Sequence, residues 1–194
     1  MPLLDFGGEM KLAALGVLVL LACLLPGISP PPAAAEGPAG VHELRIGLLD
    51  HDTDGLWSRS KREGGNDINA EVIFAPSRQV LGGTLRPNLG FSVNDRGLTG
   101  KVYAGALWRH PWRNRLFFEL GLGLAAHNGI TEDAAEPHRK QLGSRVLFRV
   151  AVEAGMTFKE HHSLSLMFDH VSNAYLADPN EGMDTVGLRY GYRF

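Results

Sequence analysis

From residue 43 to the end of the chain, apolar and polar residues alternate in one segment after another. Successive side chains of a β-strand point to opposite faces, so each alternating segment predicts a strand with one apolar and one polar face. Turn-forming residues such as those at 178–180 (DPN) separate the segments. The pattern predicts eight strands, at residues 43–48, 68–74, 85–93, 101–108, 116–124, 145–153, 163–172 and 184–194.

Two architectures produce this pattern. In a soluble barrel or sandwich the apolar faces point inward, whereas in a membrane barrel they face lipid and the polar faces line the lumen. Three features favour the membrane barrel, namely charges of both signs on the polar faces, aromatic residues at strand ends, and short connections that alternate with long polar ones. The charged residues are Glu43, Arg45, Glu71, Arg86, Lys101, Glu119, Arg149, Glu153, Arg189 and Arg193, and the aromatic residues are Trp57, Trp108, Trp112, Tyr190, Tyr192 and Phe194.

We therefore expect an all-β fold, an eight-stranded antiparallel up-and-down transmembrane β-barrel. The terminal Phe194 is also typical of bacterial outer-membrane barrels, so we expect the outer membrane as its location. A barrel of this size has a lumen filled by side chains, which argues against a transport pore. The alternative is a soluble periplasmic β-barrel that serves as a binding module.

The N-terminal segment has the composition of a targeting signal. Lys11 precedes an apolar run at residues 12–25, which is short for a membrane span, and a small-residue site follows at residues 33–35. We expect residues 1–35 to be a signal peptide, with Met10 as an alternative start, and residues 36–194 to be the barrel domain. Cys23 offers an alternative lipoprotein-type site, and both interpretations predict export.

The composition adds little beyond this. The formal net charge is -2, so nothing marks a partner such as nucleic acid. The single cysteine lies in the N-terminal apolar run, so the remainder of the chain has no disulfide framework and no thiol chemistry.

Three polar residues interrupt the apolar faces of the last two strands near the same end. His170 and Ser172 continue the apolar face of the seventh strand, and Asp184 heads that of the eighth. Residues two apart on a strand are separated by about 6.6 Å, so His170 could lean toward Ser172. Asp184 could hold the other imidazole nitrogen, which would complete the nucleophile, base and orienting acid of an ester hydrolase. All three would face outer-leaflet lipid, and the alternative is three unrelated residues at a strand end.

This region resembles the signature of the lipid A 3-O-deacylase family. Its members are called PagL-like proteins or acyloxyacyl hydrolases. The resemblance implies an outer-membrane barrel that removes the ester-linked 3-position acyl chain from lipid A, the membrane anchor of lipopolysaccharide, without metal or cofactor. It implies Ser172 as nucleophile, His170 as base and Asn173 as an oxyanion-hole residue. The matching segments are His170-Val-Ser172-Asn173-Ala174, Asn180 and Gly182 before Asp184, residues 67–71 (DINAE) and residues 142–146 (LGSRV).

The sequence departs from the family pattern at two positions. Asp184 stands where the family has Glu, so the carboxylate is one methylene shorter and the two strands must approach more closely. Tyr175 stands where the family has a glycine whose backbone N–H contributes to the oxyanion hole. An alternative function is therefore a catalytically impaired barrel with a structural or lipopolysaccharide-binding role. The sequence leaves acyl-chain length and oligomeric state open, a homodimer included.

A second motif, at residues 50–55 (DHDTDG), imitates the start of a calcium-binding loop. Its twelfth position is Lys61, where a bidentate Glu is required, so the motif predicts a solvated external loop instead. Basic residues of the long loops could pair with lipopolysaccharide phosphates, or they could belong to an ordinary mixed-charge surface. They are Arg59, Lys61, Arg62, Arg139 and Lys140.

Overall fold

The computed structural model describes residues 40–58, 61–132 and 136–194, so the expected signal peptide lies outside the described residues. The described part contains nine strands, and every neighbouring pair in the sheet is antiparallel. They are β1 (Val41–Asp50), β2 (Asn66–Phe74), β3 (Arg78–Val80), β4 (Gly83–Asn94), β5 (Lys101–Trp112), β6 (Leu116–His127), β7 (Val146–Phe158), β8 (His162–Ser172) and β9 (Met183–Arg193).

The sheet closes into a barrel because β1 pairs with both β2 and β9, and β2 pairs in turn with β4. The three-residue strand β3 pairs with the first residues of β4, beyond the point where β2 ends. Because β2 and β3 pair with successive parts of the same edge of β4, they occupy one strand position together, and the barrel wall has eight strand positions. The prediction of an eight-stranded antiparallel barrel is confirmed, and β3 is an addition that the sequence pattern did not indicate.

No helix in the described residues is long and apolar enough to cross a membrane.

The distribution of side chains is the inverse of that in a soluble protein. On β1, the side chains of Ile46 and Leu48 are 63% and 61% exposed, whereas that of Arg45, which precedes Ile46, is buried. The same contrast recurs around the wall, with leucine, valine and isoleucine outside and charged residues inside. A surface of this kind is stable against hydrocarbon, so the prediction of a membrane barrel is confirmed and the soluble alternative is wrong.

Paired charges fill the lumen. Arg45 lies at the centre and forms ion pairs with Glu119 at 2.6 Å, with Glu43 at 2.8 Å and with Glu153 at 3.2 Å. Arg189 pairs with Glu153 at 2.9 Å. Since buried charges are tolerated only when they are paired and hydrogen-bonded, this network explains why charges of both signs recur on the polar faces.

Above the charged network, toward the end with the longer loops, apolar side chains join the buried ion pairs of the lumen, such as that of Lys101 with Asp169. Four connections meet there: loop 1 (residues 51–65), loop 2 (residues 95–100), loop 3 (residues 128–145) and loop 4 (residues 173–182). Long loops of such barrels lie on the outer side, so we call this the outer end. A buried cluster closes the lumen beneath the loops, and it consists of Tyr103, Ala125, Leu142, Leu147, Val171 and Met183.

Candidate active site

The end of β8 and the start of β9 bring three predicted residues together. The register of the two strands places His170 directly opposite Asp184. Val171 belongs to the buried lumen cluster, so its neighbours His170 and Ser172 point to the outside of the barrel. Directly opposed residues have Cβ atoms about 4.5–5.5 Å apart, a distance that even the short side chain of Asp184 can bridge.

The three side chains form a continuous hydrogen-bonded chain, which we call the Ser172 site. His170 Nδ1 lies 2.6 Å from Asp184 Oδ1, and His170 Nε2 lies 3.1 Å from Ser172 Oγ. In the neutral tautomer that fits both contacts, Nδ1–H donates to the carboxylate and Nε2 accepts from the serine hydroxyl. A serine hydroxyl in this position can lose its proton to the imidazole, which is the arrangement required for nucleophilic attack on an ester.

The site is more enclosed than the sequence indicated. Asp184 is 0% exposed and His170 is 6% exposed, so only Ser172, which is half-buried, is accessible from outside. The expectation that all three face lipid is therefore wrong for the histidine and the aspartate. The physical reason is that polar groups on a lipid-facing wall cost free energy unless protein covers them.

Loop 1 provides this cover. The indole of Trp57 stacks on the imidazole of His170, with ring centroids 4.3 Å apart and planes at 12°. The backbone N–H of Ser58 donates to Asp184 Oδ2 at 2.6 Å, and the backbone N–H of Thr53 donates to the Asp184 carbonyl at 2.8 Å. The expectation that Trp57 marks a strand end is wrong, because β1 ends at Asp50 and Trp57 lies within loop 1.

Asn173 organises loop 4 beside the serine. Its side-chain Nδ2 lies 2.9 to 3.0 Å from the carbonyl oxygens of Leu142, Ala177 and Pro179, and its backbone N–H donates to Asn180 Oδ1 at 3.1 Å. Every N–H group of Asn173 is therefore engaged within the protein. In this arrangement Asn173 shapes the loop, and its amide N–H groups are bonded to carbonyl oxygens instead of being free for the oxyanion role that the resemblance implies.

The next two residues carry free backbone donors. Ala174 and Tyr175 adopt φ angles of 53° and 60°, in the left-handed region that favours glycine. Within the described residues, neither backbone N–H has an acceptor. The left-handed conformation at Tyr175 gives a physical reason for a glycine at this position. Gly182 is constrained in the same way, since its φ is +62° and a Cβ there would lie 3.1 Å from His170 Cε1.

The calcium-like motif at residues 50–55 has a different role from the one expected. His51 and Asp52 are both 0% exposed, so the prediction of a solvated loop is wrong for these two residues. His51 Nδ1 lies 2.7 Å from Asp67 Oδ1 and Nε2 lies 2.9 Å from Glu63 Oε2. Burial alone would lower the pKa of His51, but the hydrogen bonds to Asp67 and Glu63 outweigh it and raise the pKa to about 9.

Glu63 connects three of the outer loops. Besides His51, its carboxylate accepts the backbone N–H and hydroxyl of Thr99 from loop 2, each at 2.9 Å. It also accepts the backbone N–H of Lys140 and Nε of Arg139 from loop 3, each at 3.0 Å. Burial opposes ionisation, but these donors lower the pKa of Glu63 to about 2. Loop 1 is thereby held in one position above the barrel.

The basic residues proposed as phosphate partners have carboxylate partners instead. Arg62 pairs with Glu181 at 2.6 Å, and Lys61 pairs with Asp50 at 3.3 Å. Arg139 pairs with Glu63, and the fully buried Lys140 pairs with Asp52 at 3.3 Å. Arg59 lies outside the described residues. Within the described residues, no group of three or more His, Cys, Asp or Glu side chains is arranged to hold a metal ion.

Comparisons with known proteins identify the family and the fold of this chain. The sequence model of the family described as lipid A 3-O-deacylase (PagL) matches residues 83–193, more than half of the chain and all of the Ser172 site. The chain is 27% identical to lipid A deacylase PagL of Bordetella bronchiseptica over 186 residues, which cover 92% of this chain and 93% of that protein. It is 34% identical to lipid A deacylase PagL of Pseudomonas aeruginosa over 74 residues, which cover 38% and 40%.

A solved structure shows the same fold. The crystal structure of the outer membrane enzyme PagL superposes with a TM-score of 0.55 at 21% identity, and the match covers 79% of this chain and 99% of that one.

Proposed function

The chain belongs to the lipid A 3-O-deacylase (PagL) family of outer-membrane barrels, and on that premise we propose that it is a serine esterase that hydrolyses the 3-O-linked acyl chain of lipid A. The observation that carries the proposal is the hydrogen-bonded chain from Ser172 through His170 to Asp184 at the outer end of the wall. Its substrate would be lipopolysaccharide in the outer leaflet. Of the three hydrogen-bonded residues only Ser172 is accessible, and it lies on the outward face of the barrel.

The first half-reaction would form an acyl-enzyme. Ser172 Oγ attacks the ester carbonyl carbon while its proton passes to His170 Nε2. Asp184 fixes the imidazole through Nδ1–H and stabilises the positive charge that the ring acquires. The bond between the acyl carbon and the sugar oxygen then breaks, and the proton on Nε2 passes to that oxygen, which leaves as the free sugar hydroxyl.

The second half-reaction would release the fatty acid. A water molecule gives a proton to His170 Nε2 and attacks the acyl carbon, and the proton returns to Ser172 Oγ when the acyl group leaves. In both steps a negative charge develops on the carbonyl oxygen. The free backbone N–H of Tyr175, with that of Ala174, is our candidate donor to this oxygen, and Asn173 positions the loop that carries both.

The experiment is mass spectrometry of lipid A from cells that express the wild-type chain or Ser172→Ala. We expect the wild type to remove one ester-linked hydroxyacyl chain, which fragmentation assigns to the 3-position, and Ser172→Ala to leave lipid A intact. Ser144→Ala is the matched control, because Ser144 lies in loop 3 and its hydroxyl is hydrogen-bonded only to the backbone of Val146. Removal of a chain by Ser172→Ala would refute the assignment of the nucleophile.

A second candidate function follows from the Asp184 and Tyr175 departures. If the shorter acid or the strained Tyr175 has abolished turnover, the barrel would bind lipopolysaccharide without cleaving it. The same lipid A spectra distinguish the two, since unchanged lipid A in cells with folded wild-type barrel in the outer membrane would favour the binding role.

A further inference from the structure

Trp57 has a contact that neither the family signature nor the sequence pattern explains. It comes from loop 1, more than a hundred residues before the histidine on which it stacks. Its plane is nearly parallel to the imidazole of His170, and the side chain is still 59% exposed, so one face covers the ring while the rest points outward. A tryptophan that only anchored the barrel at the membrane interface would not need this geometry.

The backbone of loop 1 fixes the position of the indole. Asp52 Oδ2 accepts the backbone N–H groups of Arg62 and Glu63 at 2.7 and 3.0 Å, which ties the two ends of the loop together. Between those ends, the N–H groups of Thr53 and Ser58 both donate to Asp184. Trp57 precedes Ser58 directly, so the contact that holds Asp184 also places the indole over His170.

We propose that Trp57 is a positioning residue for the Ser172 site: its indole keeps the imidazole of His170 in line with Asp184 and Ser172, and it stabilises the positive charge that the ring carries after taking the serine proton. This inference rests on the proposed esterase function. Two physical effects support it. A stacked ring blocks rotation of the imidazole away from Ser172, and the face of an indole attracts a cation that lies within about 6 Å of the ring centre.

Kinetics distinguish positioning from substrate contact. For release of hydroxy fatty acid from purified lipopolysaccharide in detergent, we expect Trp57→Leu to lower kcat about tenfold, since the stack and the cation contact together correspond to roughly one decade in rate. Because His170 is displaced but the outer surface stays apolar, KM should change by less than about twofold. Trp57→Phe keeps an aromatic face and should recover most of the lost rate. A higher KM at unchanged kcat would identify a substrate contact and overturn the proposal.

The matched control for this series is Trp112→Leu. Trp112 is 60% exposed, which is nearly the exposure of Trp57, but it ends β5 at the opposite end of the barrel. It should change neither kcat nor KM. A tenfold loss of kcat in this variant as well would show that any tryptophan of the membrane interface has the same effect, and it would equally overturn the proposal.

A fluorescence experiment tests the contact without any turnover. In a Trp108→Phe, Trp112→Phe, Ser172→Ala variant, Trp57 is the only tryptophan and the site cannot hydrolyse ester. The imidazole covers one face of the indole, so acrylamide should quench the emission of Trp57 more strongly after His170→Ala removes that cover. Equal quenching with and without His170→Ala would show that Trp57 does not lie on His170, whether or not the protein is an esterase.

Discussion

Removing the charge of Asp184 tests the Ser172 site most directly. Asp184→Asn keeps the size of the side chain, but it replaces the oxygen pair that accepts His170 Nδ1–H and Ser58 N–H, both at 2.6 Å. An amide can accept only one of these two bonds, and its NH₂ group must then face the other donor. We expect the imidazole to lose its fixed tautomer and to face no negative charge when it is protonated.

The size of the effect follows from the contact. Two unit charges about 4 Å apart interact by about 4 kcal/mol at an effective dielectric constant of about 20, which reproduces measured electrostatic effects even at buried sites. Asp184 is fully buried, so its attraction for a protonated imidazole is of this order. Since ~1.4 kcal/mol corresponds to one decade in rate, kcat should fall about 10³-fold. KM should change little, because a side chain without exposed surface does not touch substrate.

The assay is the release of hydroxy fatty acid from purified lipopolysaccharide by folded protein in detergent. Asp184→Glu is the informative partner variant, because it restores the charge and the longer acid of the family, and we expect it to keep kcat within about tenfold of the wild type. Asp54→Asn is the control for a loop carboxylate, since Asp54 is exposed and accepts only the backbone N–H of Gly55.

An Asp184→Asn protein that migrates as a folded barrel in an unheated gel and keeps more than a tenth of the wild-type kcat would mean that the carboxylate does not orient the base. Equal losses in Asp184→Asn and Asp184→Glu would mean that shape, not charge, is what matters at this position.

Three further predictions concern parts of the fold outside the His170–Asp184 contact. Tyr175→Gly should raise or maintain kcat, because it relieves left-handed strain of about 1–2 kcal/mol while keeping the backbone N–H, and a tenfold fall in kcat would show that the tyrosine ring contacts substrate. The pKa of His51 is raised from 6.5 to about 9, so protonated His51 should stabilise the folded barrel by ~3 kcal/mol below pH 6.5, and this contribution should be lost as the pH rises through 9. The melting temperature, followed by gel migration after heating, should show this loss in the wild type and not in His51→Gln. Arg45→Ala leaves buried carboxylates without their central cation and should lower the stability of the barrel by about 3–5 kcal/mol in the same assay, whereas unchanged melting would show that the lumen admits water or counter-ions freely.

Much of the fold could be predicted because its rules are local. A strand alternates with a period of two, so Ile46 and Leu48 had to share a face opposite Arg45, whatever the rest of the chain did. The mixture of charges on the polar faces then distinguished a lipid-facing wall from a soluble one. The Ser172 site was accessible to the same reasoning, because His170 and Ser172 are two residues apart on one strand and Asp184 starts the strand that pairs with it.

The outer loops could not be predicted in this way. The burial of His51 and the stacking of Trp57 on His170 depend on partners in other segments of the chain. Asn173 likewise needs the Leu142 carbonyl of loop 3, in addition to three acceptors in its own loop. No periodicity records such contacts. Loop residues lack the regular spacing that ties a strand residue to its face, so only the closed barrel, which brings the four outer loops to one end, decided which of their polar groups are buried, paired or free.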